Sequence, residues 1–470
     1  MYFKKACSCG RAAPGPALSL WPWRRAMASL QSMVLVMSNS EPMSKPLLFG
    51  RARLNALVTA LVFGFAVAPA AAATLTMACD SIGHGNTVCK EGVKAWERKS
   101  GHTVKILSLP ASSSERLVMY RQLLASQSPL LDVLTIDIVW PGILAESLLD
   151  LSAPAAASIK EHFPAIVKNN TVGGRLIAMP WFIDAGLLYY RKDLLEKYQQ
   201  RVPGTWAELA ATARLIQDAE RSAGRPRMWG YVWQGKPYEG LTCDALEWIV
   251  SYGGGSIVEP SGAVTVDNPA TIAALRMAKQ WIGAISPPSV VSAREEESRA
   301  MFQDGNAVFL RNWPYVWAVV NAPDSAVRNK VGIAVLPRGP HGAVGTTLGG
   351  HQLAVSKFSR NSALAIDLVM FMTGRDEQKR RAILLGRSPT IGSLYQDPQL
   401  LAINPYQEIL RAAAASATPR PSTVTGRKYE QVSTEVWKTV SGVLADGKDP
   451  ATGVKALAST LNAMHSGAAW

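Results

Sequence analysis

The sequence predicts an α/β fold built around two cores. Strand-like apolar runs alternate with capped amphipathic helices from Thr74 onward. A chain of 470 residues is long enough for two domains. Beyond Gly374 the pattern is almost entirely helical, which suits a lobe that packs helices around a smaller sheet.

Taken in order, Thr74–Ala78 reads as the first strand, Glu91–Lys99 as a helix ended by Gly101, and Thr103–Leu109 as the second strand. Ser114–Ser126 is helical and Val133–Val139 a strand; Pro141 takes the first position of the next helix, where its missing N–H costs nothing. Asp184 stands between two strand-like segments, and Thr205-Trp-Ala-Glu208 is a capping box opening a helix to about Ser222. Helices follow at Tyr238–Tyr252, stopped by three glycines, and at Pro269–Ala284 after Asp267-Asn268. Glu295–Asp304 is helical, Ala307–Asn312 a strand, and Pro314 starts another helix. Val331–Leu336 reads as a strand, Arg338–Gly345 as a link, Gly349-Gly350 as a pair ahead of a strand, and Ala363–Thr373 as a helix.

Net charge is +14, but the first 73 residues hold eight Lys or Arg against one acid, so Thr74–Trp470 carries only +7. No Lys/Arg run with interleaved aromatics follows, and nucleic-acid binding is not expected. Arg51 and Arg53 precede a largely apolar run, Leu54–Ala68, and Ala71-Ala72-Ala73 then forms a small-residue cleavage pattern. That run gives about 22 Å of helix at ~1.5 Å per residue, short of a bilayer core. Residues 43–73 therefore read as a cleaved signal peptide and the mature chain as an exported, periplasmic protein. Residues 1–42, aperiodic and rich in Pro, Ser and Ala, read as a non-native N-terminal extension ahead of Met43.

Cys79, Cys89 and Cys243 follow the cleavage pattern. In an oxidising compartment Cys79 and Cys89 can close a short disulfide loop, with Cys243 left as a buried thiol. Neither a C-x-x-C pair nor clustered histidines accompany them, so no metal or cofactor is expected.

Ligands of open α/β sheets bind beyond the carboxyl ends of strands. Three segments put polar or aromatic groups there: Asp137, which closes an apolar strand; Asp184, beside Trp181 and Phe182; and Trp313-Pro314-Tyr315, after a strand. A carboxylate accepts hydroxyl protons and a ring covers an apolar C–H face, so together they point to a neutral, ring-shaped, polar ligand in an open cleft. Each also has a plain structural reading, the Asp as a helix N-cap and Trp-Pro as a helix start. The chain holds no nucleophile-elbow, zincin or P-loop motif, so binding rather than catalysis is expected. The alternative is a secreted glycosidase that uses Asp137 and Asp184 as paired carboxylates.

The stretches Ile136–Trp140, Phe182–Tyr198, Trp229–Gly235, Tyr238–Gly240, Arg311–Tyr315, Leu348–Gly350 and Pro419–Pro421 carry a resemblance that runs from about Thr74 to the C-terminus. The chain resembles the solute-binding components of sugar ABC importers, and among them the trehalose/maltose-binding proteins. The resemblance implies a two-lobed periplasmic binding protein, type II and maltose-binding-protein-like, with an interlobe ligand cleft. Lobe one would take 74–183 and 341–374, and lobe two 184–340 and 375–470. A monomer would close around a disaccharide or small oligosaccharide and hand it to membrane permease subunits.

By position in the resemblance, Asp137 and Asp184 accept sugar hydroxyls and Trp313 stacks on a ring with Tyr315 beside it. The Gly350 backbone bonds a hydroxyl and Arg420 donates from the second lobe. Three departures accompany it. His351 stands where the family has Trp, Phe182 where a close relative has Tyr, and the loop Ser81–Asn86 lacks a family glutamate, with His84 or Asn86 in its place. These departures leave the class intact and bear on which sugar fits.

Overall fold

The computed structural model describes residues 72–79, 85–110, 112–465 and 470. The expected N-terminal extension, nearly all of the expected signal peptide, and His84 lie outside the described residues.

The strands in chain order are β1 (Thr74–Ala78), β2 (Thr103–Leu107), β3 (Val133–Asp137), β4 (Thr171–Val172), β5 (Arg175–Leu176) and β6 (Met179–Ala185). They continue with β7 (Leu187–Arg191), β8 (Trp229–Val232), β9 (Ala307–Asn312), β10 (Val331–Ala334) and β11 (Leu348–Val355). The larger sheet runs β2-β1-β3-β11-β6 and the smaller β10-β7-β9-β8, while β4 and β5 form a separate hairpin. The strands β1, β2 and β3 are parallel, as the intervening helices Gly85–Ser100 and Ser113–Ala125 require, and β11 runs antiparallel between β3 and β6. Only Gly186 separates β6 from β7, so one residue carries the chain from the larger sheet to the smaller.

Local signals account for the element boundaries. Thr205 accepts the Glu208 backbone N–H at 3.2 Å and the Glu208 carboxylate accepts that of Thr205 at 3.1 Å, completing the capping box of the helix Trp206–Ser222. The Asn268 side chain accepts the Thr271 N–H at 2.9 Å and so caps Pro269–Trp281, with Pro269 leading. Every residue of β3 and β6 is buried, which is why both are largely apolar, each interrupted by an aspartate near its end. Leu75, Met77, Val133, Leu353 and Val355 are wholly buried in the larger sheet. Trp206, Tyr231, Trp233, Trp248 and Trp281 form an aromatic core against the smaller one, with Trp233 and Trp248 edge to face at 5.0 Å.

Several expectations shift. The first helix begins at Gly85, well before Glu91, and its Cys89 is disulfide-bonded to Cys79 just beyond β1. The strand expected to reach Val139 stops at Asp137, whose carbonyl accepts the Trp140 N–H at 3.0 Å in a turn. Asp184 lies inside β6, paired across from Gly349, rather than between strands, and Gly349 and Gly350 are part of β11 rather than ahead of it. Asp184 and Ala185, expected to open lobe two, thus pair within the larger sheet. The helix Arg375–Leu385, also expected in lobe two, packs on Gly85–Ser100, with Arg380 donating to the Val88 carbonyl at 2.7 Å. Among the described residues no helix is long and apolar enough to cross a membrane.

Candidate functional site

The strand β11 enters the larger sheet between two acidic strand ends. His351 pairs with Asp137 on one side and Phe182 on the other, and Gly349 pairs with Asp184. Gly350 adopts φ +120°, and a Cβ there would strike the Phe182 carbonyl, so only glycine fits. A Cβ on Gly349 would lie 3.0 Å from Cζ3 of Trp313, so bare backbone here admits the ring that follows β9. The Asn312 side chain accepts the Trp313 N–H at 2.8 Å and the Tyr189 hydroxyl donates to the Trp313 carbonyl at 2.8 Å, which fixes the ring's point of attachment.

These elements enclose a cavity of about 50 Å³. Of the expected residues, Asp137, Asp184, Trp313, Tyr315, Gly350, His351 and Arg420 all line it. Phe182 does not. It shares Asp184's face of β6 but sits two residues deeper, covered by His351 at 5.0 Å between rings and by the Arg387 guanidinium at 4.4 Å. Trp181 is core as well, under Arg381 at 4.0 Å. The aromatics flanking Asp184 are therefore packing residues, and the indole beside it at the cavity comes from the other sheet.

Charge pairs cross the cavity. Arg420 donates through Nη1 to Glu239 at 2.6 Å and through Nη2 to Asp137 at 3.1 Å. Glu239, the first residue of the helix Glu239–Ser251, also accepts from Ser433 at 2.6 Å and from the Tyr429 hydroxyl. Arg420 thus ties the end of β3 to a helix packed on the smaller sheet. Burial pushes the Glu239 carboxyl above its usual range, and the Arg420 cation opposes that rise. Arg387 donates to Asp184 at 3.2 Å. Arg116, only 1% exposed, stands 3.4 Å from Nε2 of His351 and 5.8 Å from the Trp140 ring centroid. The Tyr315 hydroxyl donates to Glu296 at 2.7 Å, and burial holds that phenol well above its usual range.

One expectation about the cleft is corrected. Asp137 and Asp184 do not line an open cleft; they are 8% and 6% exposed and ion-paired. Small-ligand pockets span roughly 300–1,000 Å³, so a sugar fits only when arginine side chains move or the lobes part. Two further cations, Arg116 and Arg387, share the wall with Arg420. Sequence reasoning missed Arg387, which no motif marks, and Glu239, whose Tyr238-Glu-Gly240 stretch it had noted for resemblance alone. Among the described residues no group of three or more His, Cys, Asp or Glu could hold a metal ion.

A two-lobed α/β protein with a polar cavity where strand ends of two sheets converge is the architecture of a solute-binding protein. The chain matches the family of bacterial extracellular solute-binding proteins over residues 87–379, and it belongs to that family. It is 49% identical over 418 residues to a "Probable ABC transporter-binding protein" of Deinococcus radiodurans, covering 88% of this chain and 99% of that one. Among solved structures it is similar to the maltose-bound MalE3 of T. maritima, with a TM-score of 0.80 and 38% identity over 84% of this chain and all of that one. A solute-binding protein of Agrobacterium vitis with bound D-mannitol shares the fold, with a TM-score of 0.73 at 22% identity over 84% of this chain and 99% of that one.

Proposed function

We propose that this protein binds a disaccharide or small oligosaccharide of the trehalose or maltose type between its lobes. As an exported periplasmic monomer it then delivers that sugar to the permease subunits of an ABC importer. The observation that carries the reading is the meeting of three groups at one cavity: Asp137 and Asp184 from the larger sheet and Trp313 from the end of the smaller sheet's β9. Carboxylates orient hydroxyl donors through charge-assisted bonds, and the indole offers a flat apolar surface to a sugar's C–H face. Three arginines meet four carboxylates in the wall, a near balance that favours a neutral ligand over an anionic one. On binding, the Arg420 donors pass from Asp137 to sugar hydroxyls, with the Gly350 backbone and Tyr315 completing the contacts. The maltose in the MalE3 structure, at 38% identity, supports a sugar of that kind.

A glycosidase has less support. Each carboxylate accepts from a buried arginine, a partner that must leave before the acid can carry and give a proton. Isothermal calorimetry on the mature chain with trehalose, maltose, sucrose and glucose 6-phosphate tests the proposal. Saturable binding of at least one neutral disaccharide is expected, with no monosaccharide released on long incubation with stoichiometric protein. Binding of the phosphate alone, weakened by salt, would overturn it; catalytic release of monosaccharide would replace it with the hydrolase.

A further inference from the structure

We infer that Glu295 is a further specificity-determining residue of the cavity. Its carboxylate accepts a ligand hydroxyl beside the Trp313 ring, so the site favours a hydroxyl or an ammonium group at that one position. The inference rests on the reading of Trp313 and its neighbours as a sugar site.

Glu295 opens the helix Glu295–Gln303, is 9% exposed and lines the cavity. Its backbone is tied to the point where the indole attaches. The Asn312 side chain donates to the Glu295 carbonyl at 3.0 Å and accepts the Trp313 N–H at 2.8 Å, so one amide sets both residues. The Ser298 hydroxyl donates to the same carbonyl at 3.1 Å. A backbone held in this way limits where the carboxylate can stand relative to the ring. The carboxylate also differs from the other three in the wall. Arg420 donates to Asp137 and Glu239, and Arg387 donates to Asp184. The charges next to Glu295 in sequence are engaged as well, Arg294 with Glu115 at 2.9 Å and Glu296 with Arg299 at 2.9 Å. Among the described residues no Lys, Arg or His forms an ion pair with Glu295, so it is the carboxylate of this wall that no cation has taken.

The neighbour it does have is the buried Tyr238 phenol. Burial first, and the Glu295 carboxylate next, hold that phenol well above its usual range, so it keeps its proton. A phenol has one hydrogen to give, whereas an ionised carboxylate takes up to about four. Spare acceptor capacity in a buried carboxylate is costly until a donor arrives. A sugar hydroxyl supplies that donor at Glu295 without displacing an arginine, as it must at Asp137 or Asp184. Hydrogen bonds to an ionised acceptor are about twice as strong as neutral ones. Exchanging the carboxylate for an amide should therefore weaken binding about tenfold, equivalent to about 1.4 kcal/mol. A ligand with hydrogen in place of that hydroxyl loses a similar amount. One with ammonium there gains an ion pair, and no net positive charge opposes it, because the wall holds four carboxylates against three arginines.

The test compares the unmodified protein with Glu295→Gln by calorimetry. The probes are maltose and trehalose beside their monodeoxy and monoamino-monodeoxy analogues, one hydroxyl replaced at a time. In the unmodified protein one position should show a deoxy analogue at least tenfold weaker than its parent and an amino analogue at least as tight. In Glu295→Gln the parent should bind about tenfold more weakly, and the deoxy gap at that position should fall below threefold. The amino analogue should there drop at least tenfold behind its parent. Urea unfolding gives a ligand-free readout: with no paired cation to strand, Glu295→Gln should leave the midpoint unchanged or raised. If neither disaccharide binds, the sugar reading fails, and D-sorbitol beside 1-amino-1-deoxy-D-sorbitol tests Glu295 apart from it. An amine that binds at least tenfold tighter than sorbitol, and only while Glu295 is present, upholds the assignment. A parent sugar bound by Glu295→Gln within twofold of the unmodified protein overturns it, as does a deoxy gap unchanged at every position. A lowered unfolding midpoint, or no binding by any of these probes, overturns it too.

Discussion

Replacing Asp184 by Asn removes the charge from one half of a buried pair and leaves the Arg387 guanidinium, 5% exposed, facing an amide. Breaking such a pair from one side costs about 3–5 kcal/mol, because a charge stays buried without its counterion. Here the loss falls at or just below the lower bound of that range. The amide oxygen can still accept at the 3.2 Å of the present contact, and Arg387 keeps its places 4.4 Å from the Phe182 centroid and 5.2 Å from that of Tyr315. Asp184→Asn should therefore lower the stability of the ligand-free protein by about 2–3 kcal/mol. Urea unfolding followed by far-UV circular dichroism at pH 7 measures it, with a lower midpoint at an unchanged slope. Adding Arg387→Gln neutralises both halves and should recover more than half of the loss. A loss under about 1 kcal/mol, or a double variant no more stable than the single one, would falsify the reading of Asp184 and Arg387 as a buried pair that stabilises the fold.

Trp313→Ala should weaken disaccharide binding about thirtyfold, the effect of losing a contact of ~2 kcal/mol at the centre of a site, as read by calorimetry. Burial holds the His162 imidazole at about 4 instead of 6.5, so between those values the folded state binds fewer protons than the unfolded chain. Its stabilisation is intact above about pH 6.5 and drains away as pH falls toward 4, about 3 kcal/mol in all at ~1.4 kcal/mol per unit. Urea unfolding at pH 7, 5.5 and 4 should show that slope in the unmodified protein and not in His162→Gln. The disulfide between Cys79 and Cys89 spans 10 residues of sequence, and Cys79→Ser/Cys89→Ser should lose about 2–3 kcal/mol of unfolding free energy.

The sequence disclosed the parts of the site that strand grammar marks. Asp137 closes an apolar run, and Trp313 and Tyr315 follow one, so their place at sheet edges could be read from the order of residues alone. Asp184 was legible as a carboxylate near a chain break, but the break is Gly186, and pairing with β11 draws Asp184 back into β6. Arg387 and Glu239 were not legible. The first follows a helix rich in Arg and Lys, and the second opens a helix where an acid is ordinary. Only the packing of helices from distant parts of the chain brings their side chains to the cavity. Phe182 was over-read for a related reason: alternation along a strand fixes which face a residue takes, not how deep under its neighbours it lies.

The middle strand of the larger sheet has a consequence for how the chain assembles. It is β11, from residues 348–355, and it comes after every strand of the smaller sheet. A ribosome, or a chain emerging amino end first from a membrane channel, releases all four strands of the smaller sheet before β11 appears. Until then β2-β1-β3 and β6 form two unjoined pieces, and both facing edges, β3 and β6, are largely apolar, each with one aspartate near its carboxyl end. Joining them means pairing Asp137 with His351, more than two hundred residues apart, a contact of high loop-closure entropy and slow formation. The larger sheet, begun first, is thus closed only after every strand of the smaller one has emerged. In the interval its two apolar strand edges are the part of the nascent molecule most exposed to pairing with another chain.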